Sequence, residues 1–551
     1  MDVVLIGLPG SGKSVVGKRL AHRHAAAFID LDERIESTAG RRIPQIFEDD
    51  GEAAFRALER ATIHGLGPAD STREVRRVIA TGGGAVVDPR NRWNLYHGRT
   101  TVWLDGRPEV LAQRLRRSPN VRPLVTARDP IGTIRDLAAR RERFYAAATI
   151  RQGGVAEVHG VVAAVDEHIT GDASGTAGTT LLRASTPIGR IVLGDGIAAD
   201  ALAAELESLR APRAILLSEP GAWAAVGERL AAGLRERGRD VVHLLLPQGE
   251  AAKRLDVVEA AARQLAALHV ERAEALVAVG GGALGDTVGF LAAIYLRGIR
   301  FIQVPTTLVA QIDSAIGGKT GVDLPEGKNL LGAFHQPTAV IVDIEALRTL
   351  PGRHIRAALG EAVKMAALGD ERLFELLESD GRAIASGDPA VFASGVIAEV
   401  VERAGWAKVE VVLADELERG STAGRITLNL GHSLGHAVEA AAGYGGLLHG
   451  EAVAYGLRAA CRIGVEVGLT PPERADRIGR LLDALDLATE PLPYPLAAVM
   501  GHLATDKKHA AGRLRWVLPT ADGVTVRDDI DPAIVARAAA GLLTTPNGSA
   551  G

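Results

Sequence analysis

The chain has one cysteine, Cys461, in 551 residues, so no disulfide can form within it, and a metal site built from cysteine is argued against. It lacks a strong charge of either sign. The formal net charge of −4 leaves no basic footprint for nucleic acid or an anionic membrane. No apolar run approaches membrane-spanning length. Met1 leads within two residues into an apolar run, without a basic leader or cleavage pattern. These absences give the expectation of a cytoplasmic protein with no nucleic-acid or membrane partner. What is present is ordinary for a soluble globular chain, with 47% apolar and 24% charged residues. The length accommodates three or four core-sized units.

The chain has only 15 histidines, and three of them, His432, His436 and His449, fall in one stretch, NLGHSLGHAVEAAAGYGGLLHGE. His432 and His436 are four apart in a segment of helical character, which stacks their imidazoles on one face. His449 follows a short glycine-rich turn. Imidazoles brought together in this way bind a metal such as Zn²⁺ or carry protons at neutral pH. Spacing alone leaves a second reading open, a pair of helix-surface histidines and a loop histidine. The pattern is not the zinc-protease His-Glu-x-x-His, because Ser433 stands where the glutamate would be.

At the other end, the apolar run 3–6 predicts a buried strand, followed at 7–14 by GLPGSGKS and then a helical segment. This is a phosphate-binding loop in its strand–loop–helix context. Gly10, Ser11, Gly12, Lys13, Ser14 and Val15 line the expected ATP site, with Lys13 neutralising phosphates and the Ser14 hydroxyl on Mg²⁺. Four later features follow in order: FIDLD at 28–32, GEAAFR at 51–56, TGGG at 81–84, and an arginine-rich segment with Arg122 and Arg140-Arg141. Together they resemble shikimate kinase across essentially this whole segment. The resemblance implies that Asp32, Arg56, Gly83 and Arg141 hold shikimate, and that Asp32 orients the attacking hydroxyl. It also places Asp30 near the Mg²⁺ and Arg122 on a lid closing over the phosphates. A carboxylate suits arginine forks and hydroxyls suit an aspartate and backbone N–H groups.

Residues 170–180, TGDASGTAGTT, have no hydrophobic period and read as a flexible linker. Beyond them the chain again alternates strands (214–218, 241–245, 276–279) and helices, the pattern of a doubly wound sheet. The strand at 276–279 runs into GGGALGD, glycines that let a diphosphate approach the backbone. Glu361 is an acid in an apolar helical segment, which predicts a buried ion pair or a ligand.

Five motifs, GGGALGD, RGI…PTTLVAQIDSAIGGKTGVD…GKN, GEAVK, GHSLGHAVEA and HGEAV, occur in one order. From about 187 to 543 the chain thereby resembles 3-dehydroquinate synthase. The resemblance implies bound NAD⁺ and a Zn²⁺ or Co²⁺ ion held by Glu361, His432 and His449, with His436 an active-site residue. It implies NAD contacts from Glu250, Lys253, Gly282, Ala283, Leu284, Gly285, Asp286, Thr306, Thr307, Lys319 and Lys328. Arg297, Lys319, Asn329, Lys408, Arg425, Asn429 and His436 are implied for the substrate, 3-deoxy-D-arabino-heptulosonate 7-phosphate, with one of Lys507 and Lys508. Of these, Lys319, His436 and Arg425 join Lys13, Asp32 and Arg122 as the expected catalytic residues. Arg297 is implied to reach a neighbouring subunit's site, hence a homodimer through the C-terminal part. The sequence departs from the pattern at Gln248, where an aspartate is usual, and in a longer spacing from Glu418 to Arg425, which puts the role of Glu418 in question.

The expected architecture is α/β: a kinase with a parallel sheet (1–169), a linker (170–186), an α/β NAD-binding domain (187–350), an all-helical metal domain (351–543) and a disordered tail (544–551). The expected function is a pair of enzymes of the route to chorismate and the aromatic amino acids. The rivals are another sugar-phosphate cyclase or metal-dependent polyol dehydrogenase in the second half, and a non-catalytic nucleotide sensor.

Overall fold

Val3, Val4, Leu5 and Ile6 are completely buried. In the computed structural model they form β1 (Asp2–Ile6), and a strand covered on both faces is what the middle of a parallel sheet requires. The structure describes residues 1–70, 72–117, 129–153, 157–170, 178–420, 423–443, 446–504, 509–510 and 513–544. The chain divides into two units, Met1–Thr186 with Arg190–Asp200, and Pro187–Gly189 with Ala201–Gly551.

In the first unit β1 is flanked by β2 (Ala27–Asp30), β3 (Arg77–Ala80), β4 (Thr100–Leu104) and β5 (Ile150–Gln152), in the order β2-β3-β1-β4-β5 and all parallel. Parallel neighbours need crossovers, and helices supply them. The helix Lys13–Arg23 turns Val16, Leu20 and Ala21 onto a core with Leu5, Val78 and Val102. The loop at 7–14 and the glycines at 82–84 follow the carboxyl ends of strands and Asp30 ends one, which is where open α/β sheets bind ligands.

Thr179–Thr186 (β6) and Gly189–Asp195 (β7) are strands. Regular structure therefore resumes at Thr179, inside the segment expected as linker to 186, because Leu181 and Leu182 find a buried environment. Residues 171–177 and the tail from 545 lie outside the described residues. The second unit then builds β8 (Arg213–Ser218), β9 (Asp240–Leu245), β10 (Ala275–Gly280) and β11 (Arg300–Pro305). A separate antiparallel hairpin, β12 (Lys319–Leu324) with β13 (Gly327–Phe334), precedes β14 (Ala339–Asp343). The strands β14-β11-β10-β8-β9 lie in that order and run parallel. The chain moves outward in one direction from β8 to β9 and in the other from β10 to β11, so the order reverses between β8 and β10. That switch point opens a crevice.

From Gly352 onward helices dominate, among them Gly352–Ala367, Val396–Ala414, His432–Ala441 and His449–Glu466. The expected all-helical part also carries a short antiparallel pair, Trp516–Pro519 with Val524–Arg527, whose first strand is an apolar run buried throughout. Among the described residues no helix is long and apolar enough to cross a membrane.

Candidate active sites

In the first unit the loop after β1 curls around its own lysine. Lys13 Nζ donates to Gly7 O (2.9 Å), Leu8 O (3.0 Å) and Ser11 Oγ (3.3 Å). Gly10 and Gly12 are left-handed, at φ 83° and 92°, conformations that cost glycine little. Ser14 Oγ donates to Asp30 Oδ2 (2.6 Å), a hydroxyl–carboxylate pair of the kind that holds a hydrated Mg²⁺. The other Asp30 oxygen accepts the N–H of Asp32 (3.0 Å) and caps the helix Leu31–Ala39. Capping thereby fixes Asp32 at the helix start.

Asp32, Arg56 and Arg141 close on the glycines after β3. A Cβ on Gly82 would lie 2.9 Å from Asp32 Oδ1, and one on Gly84 would lie 2.8 Å from Arg56 Nη2. Arg141 Nη1 donates to Gly83 O (2.9 Å), and Tyr145 OH donates to the same carbonyl. Arg56 is held by Glu52 (2.9 Å) and by the buried Glu59 (2.8 Å). Burial pushes the Glu59 carboxyl up against the pull of Arg56. One acid, two guanidinium groups and exposed backbone thus share a small volume, which suits a ligand with one carboxylate and several hydroxyls. Val15 is exposed beside the loop, and Arg122 lies outside the described residues.

The second unit's histidines are brought together by helix packing at glycine. His432 and His449 each begin a helix, and Glu361 lies within Gly352–Ala367. A Cβ on Gly450 would sit 1.9 Å from Ala357 O, and one on Gly456 would sit 1.7 Å from Gly431 O. No side chain fits at either crossing, so glycine alone permits this backbone approach. The outcome is a triad: Glu361 Oε1 lies 3.2 Å from His449 Nε2 and 3.4 Å from His432 Nε2. Tetrahedral ligands at about 2.0–2.1 Å from Zn²⁺ are separated from one another by roughly 3.3–3.4 Å, so these spacings fit one ion. The imidazoles of His432, His436 and His449 also form a cluster, with one ligand atom from each within 4.8 Å of the others.

Hydrogen bonding sets the rings for that purpose. His432 Nδ1 faces Leu430 O (3.0 Å) and His449 Nδ1 faces Glu439 Oε2 (3.3 Å). A carbonyl and a carboxylate only accept, which places a proton on Nδ1 in both rings and turns each Nε2 toward Glu361, where a bound cation would take its lone pair. Glu361 Oε1 is buried and, among the described residues, has no hydrogen-bond partner. Two ring nitrogens turned toward one buried carboxylate oxygen are a cradle for a cation.

Behind the triad runs a buried chain of alternating charge. Glu361 Oε2 pairs with Lys364 Nζ at 2.6 Å, Lys364 Nζ lies 3.6 Å from Asp313 Oδ2, and the other Asp313 oxygen pairs with Lys408. Burial opposes ionisation of Glu361, but Lys364 and His449 outweigh it and hold the carboxyl below the usual range. Burial holds the Lys408 ammonium below its ordinary value. Arg425 is buried, its backbone N–H on Asp415 Oδ2 (3.1 Å) and its Nη1 on Glu416 O (2.8 Å). Glu418 pairs with Lys319 and accepts from Asn429 Nδ2 (3.4 Å). The longer spacing before Arg425 therefore still brings Glu418 onto the lysine of β12.

At the β8/β10 switch point Glu219 accepts the N–H groups of Gly249 (2.6 Å) and Gly281 (3.3 Å). Helix Gly282–Ile294 starts there and carries Gly282, Ala283, Leu284, Gly285 and Asp286 in its first turns. Thr306 N–H donates to Gly280 O (3.0 Å), and Thr307 packs by Gly281. Lys253 pairs with Asp286 (2.8 Å) and donates to Asn329. Lys328 pairs with Glu439 (2.7 Å) and Glu250 (3.5 Å).

Arg297 stands apart. It ends an exposed left-handed turn (φ 64°), and among the described residues no hydrogen bond or ion pair joins it to the lysine cluster. Lys507 and Lys508 lie outside the described residues. Sequence reasoning missed Glu59, Glu219, Lys364 and Glu439. Two of these had a signal in helical spacing: Glu59 follows Arg56 by three and Lys364 follows Glu361 by three. Glu219 and Glu439 have no local signal, because their partners come from elements distant in the chain.

Family models match each part. Residues 9–163 match shikimate kinase, 243–357 match the N-terminal part of 3-dehydroquinate synthase, and 358–509 match its C-terminal part. The 3-dehydroquinate synthase of Colwellia psychrerythraea is 44% identical over 293 residues, which are 53% of this chain and 80% of that protein. Among solved structures, the 2-epi-5-epi-valiolone synthase ValA of Streptomyces hygroscopicus, with NAD⁺ and Zn²⁺ bound, is 30% identical. The match has a TM-score of 0.58 and covers 64% of this chain and 96% of that one. A 2-deoxy-scyllo-inosose synthase complexed with carbaglucose-6-phosphate, NAD⁺ and Co²⁺ is 25% identical, with a TM-score of 0.56 over 64% of this chain and 97% of that one. The chain belongs to the 3-dehydroquinate synthase family, with a shikimate kinase at residues 9–163 ahead of the synthase.

Proposed function

We propose that the chain carries two activities. The first unit transfers the γ-phosphoryl group of MgATP to shikimate. The second converts 3-deoxy-D-arabino-heptulosonate 7-phosphate to 3-dehydroquinate and phosphate, using NAD⁺ and Zn²⁺ or Co²⁺. The observation that carries the second reading is the Glu361–His432–His449 triad, with 3.2 and 3.4 Å ligand spacings, adjoining a glycine-rich switch-point crevice. The 44% identity to a named 3-dehydroquinate synthase, against 30% and 25% for the two other cyclases, favours this substrate over theirs.

In the kinase, Lys13 neutralises the transferring phosphates, Ser14 and Asp30 orient the Mg²⁺, and Arg56 and Arg141 fork the shikimate carboxylate. Asp32 orients the attacking hydroxyl and takes its proton. Arg122 completes the site as a lid residue. In the synthase, Glu361, His432 and His449 hold the metal, and His436, beside them, faces the substrate. Lys319, Asn329, Lys408, Arg425 and Asn429 receive the carboxylate and phosphate, and one of Lys507 and Lys508 joins them. Glu250, Lys253, the turn at 282–286, Thr306, Thr307 and Lys328 line the dinucleotide. The bound dinucleotide supplies a reversible hydride acceptor, and the cation supplies Lewis-acid polarisation of the substrate oxygens. Oxidising the hydroxyl acidifies the neighbouring carbon, which allows phosphate to leave by elimination. The product carries an alcohol again, so the hydride returns to the oxidised carbon once phosphate has left, before the pyranose opens and the freed enolate closes on the ketone released with it to form the carbocycle. Substrate deuterated at that carbon therefore gives product that keeps its deuterium, with no NADH accumulating. Washout of the label or stoichiometric NADH release would instead mark an ordinary dehydrogenase.

We assign residues 1–169 to the kinase, 187–350 to the dinucleotide domain and 351–543 to the metal domain. A homodimer through the second unit is supported by Arg297, which stands exposed just after the exposed apolar residues Ile294 and Leu296. A reducing, cytoplasmic location is supported by the single, buried thiol of Cys461.

A further inference from the structure

Glu439 belongs to neither the expected ligands nor the expected dinucleotide residues, yet it touches both groups. It lies on the helix His432–Ala441 and is 6% exposed. Its Oε1 accepts from Lys328 Nζ at 2.7 Å, and its Oε2 faces His449 Nδ1 at 3.3 Å. Lys328 comes from hairpin strand β13, the neighbour of Asn329, and its second acid is Glu250 at 3.5 Å beside the crevice. One carboxylate is thus shared between a cation facing the crevice and the outer nitrogen of a triad imidazole.

We infer that Glu439 is a positioning residue that couples the dinucleotide crevice to the metal triad, so that each occupant tightens the binding of the other. This rests on the reading of His449 as a metal ligand and Lys328 as a dinucleotide contact. With the crevice empty, Lys328 neutralises Glu439. An anionic dinucleotide draws the ammonium toward its phosphates, and Glu439 turns its charge onto the His449 Nδ1–H. An imidazole hydrogen-bonded to a freer carboxylate is the more basic at Nε2 and the stronger ligand. Because coupling between two binding equilibria is reciprocal, the metal strengthens dinucleotide binding by the same factor.

The test is Zn²⁺ affinity of the full chain, measured by competition with a chromophoric chelator, with and without saturating NAD⁺. The wild-type chain should bind Zn²⁺ more tightly with NAD⁺ by about 5- to 150-fold. Glu439→Gln keeps the side-chain shape but not its charge, and should weaken Zn²⁺ binding by about 10- to 100-fold and reduce the NAD⁺ effect to below about twofold. Glu439→Asp should recover part of the effect. NAD⁺ affinity of the metal-free chains, read by calorimetry, confirms that Glu439→Gln retains a folded crevice. An equal Zn²⁺ affinity with and without NAD⁺ in the wild-type chain would overturn the coupling while leaving the function standing. Coupling undiminished in Glu439→Gln would overturn the role of this residue. A wild-type chain that binds no Zn²⁺ would overturn the coupling and the functional reading together.

Discussion

Replacing Lys364 by methionine probes the charge chain behind the triad. Lys364 is 1% exposed and Glu361 completely buried, and the ammonium stands 2.6 Å from Glu361 and 3.6 Å from Asp313. Asp313 keeps Lys408, but Glu361 loses the lysine paired with it. Breaking a buried pair by removing one partner costs about 3–5 kcal/mol, because the remaining charge is uncompensated. That is a large share of an ordinary domain stability of about 5–15 kcal/mol. At about 2–4 °C per kcal/mol for a larger domain, the second unit's transition should fall by on the order of 10 °C. A cation bound by Glu361 would replace the missing charge, so the deficit should shrink when Zn²⁺ is present. Scanning calorimetry of the full chain, with EDTA and with added Zn²⁺, measures both losses. A metal-free loss below about 1 kcal/mol, or equal losses with and without Zn²⁺, would refute the reasoning.

Three further outcomes are expected. His432→Ala and His449→Ala should each lose bound metal by elemental analysis, while His436→Ala keeps it and loses rate; metal loss in the last variant would favour the three-histidine set. Gly450→Ala places a methyl 1.9 Å from Ala357 O, so the helix crossing must open. It should cost about 1–3 kcal/mol and lower metal content, and full metal retention would show that the crossing does not set the triad. Mixing Arg297→Ala chains with Lys319→Ala chains should restore part of the synthase activity, because one composite site of a shared dimer would be whole; confirmed mixed dimers without restoration would rule out a shared site.

Local pattern carried much of this protein. The run 3–6 is legible as a central strand because both faces of β1 are buried, and the loop at 7–14 is legible because a phosphate cradle needs glycines and a lysine at fixed offsets. The strands at 214–218, 241–245 and 276–279 appear as β8, β9 and β10 within one residue or so at their ends. The His432–His436 helix appears as expected from the spacing. The third triad member was not legible from spacing. Glu361 is 71 residues before His432, and only the glycine crossings of three helices bring them together. The expected linker failed from Thr179 on because a threonine-rich stretch reads as polar coil until its leucines find a core. Glu219 and Glu439 stayed hidden because their partners come from elements distant in the chain.

Two catalytic sites carried on one chain should fail independently. The most direct measurement is turnover by purified wild-type, Lys13→Ala and His432→Ala chains, each given MgATP with shikimate and, separately, the heptulosonate phosphate with NAD⁺ and Zn²⁺. The wild-type chain should turn over both. Lys13→Ala should lose at least about 10²–10³-fold in phosphoryl transfer and keep cyclisation within a small factor, and His432→Ala should do the reverse. A wild-type chain inactive on either substrate, or a folded single variant that loses both activities, would contradict the account.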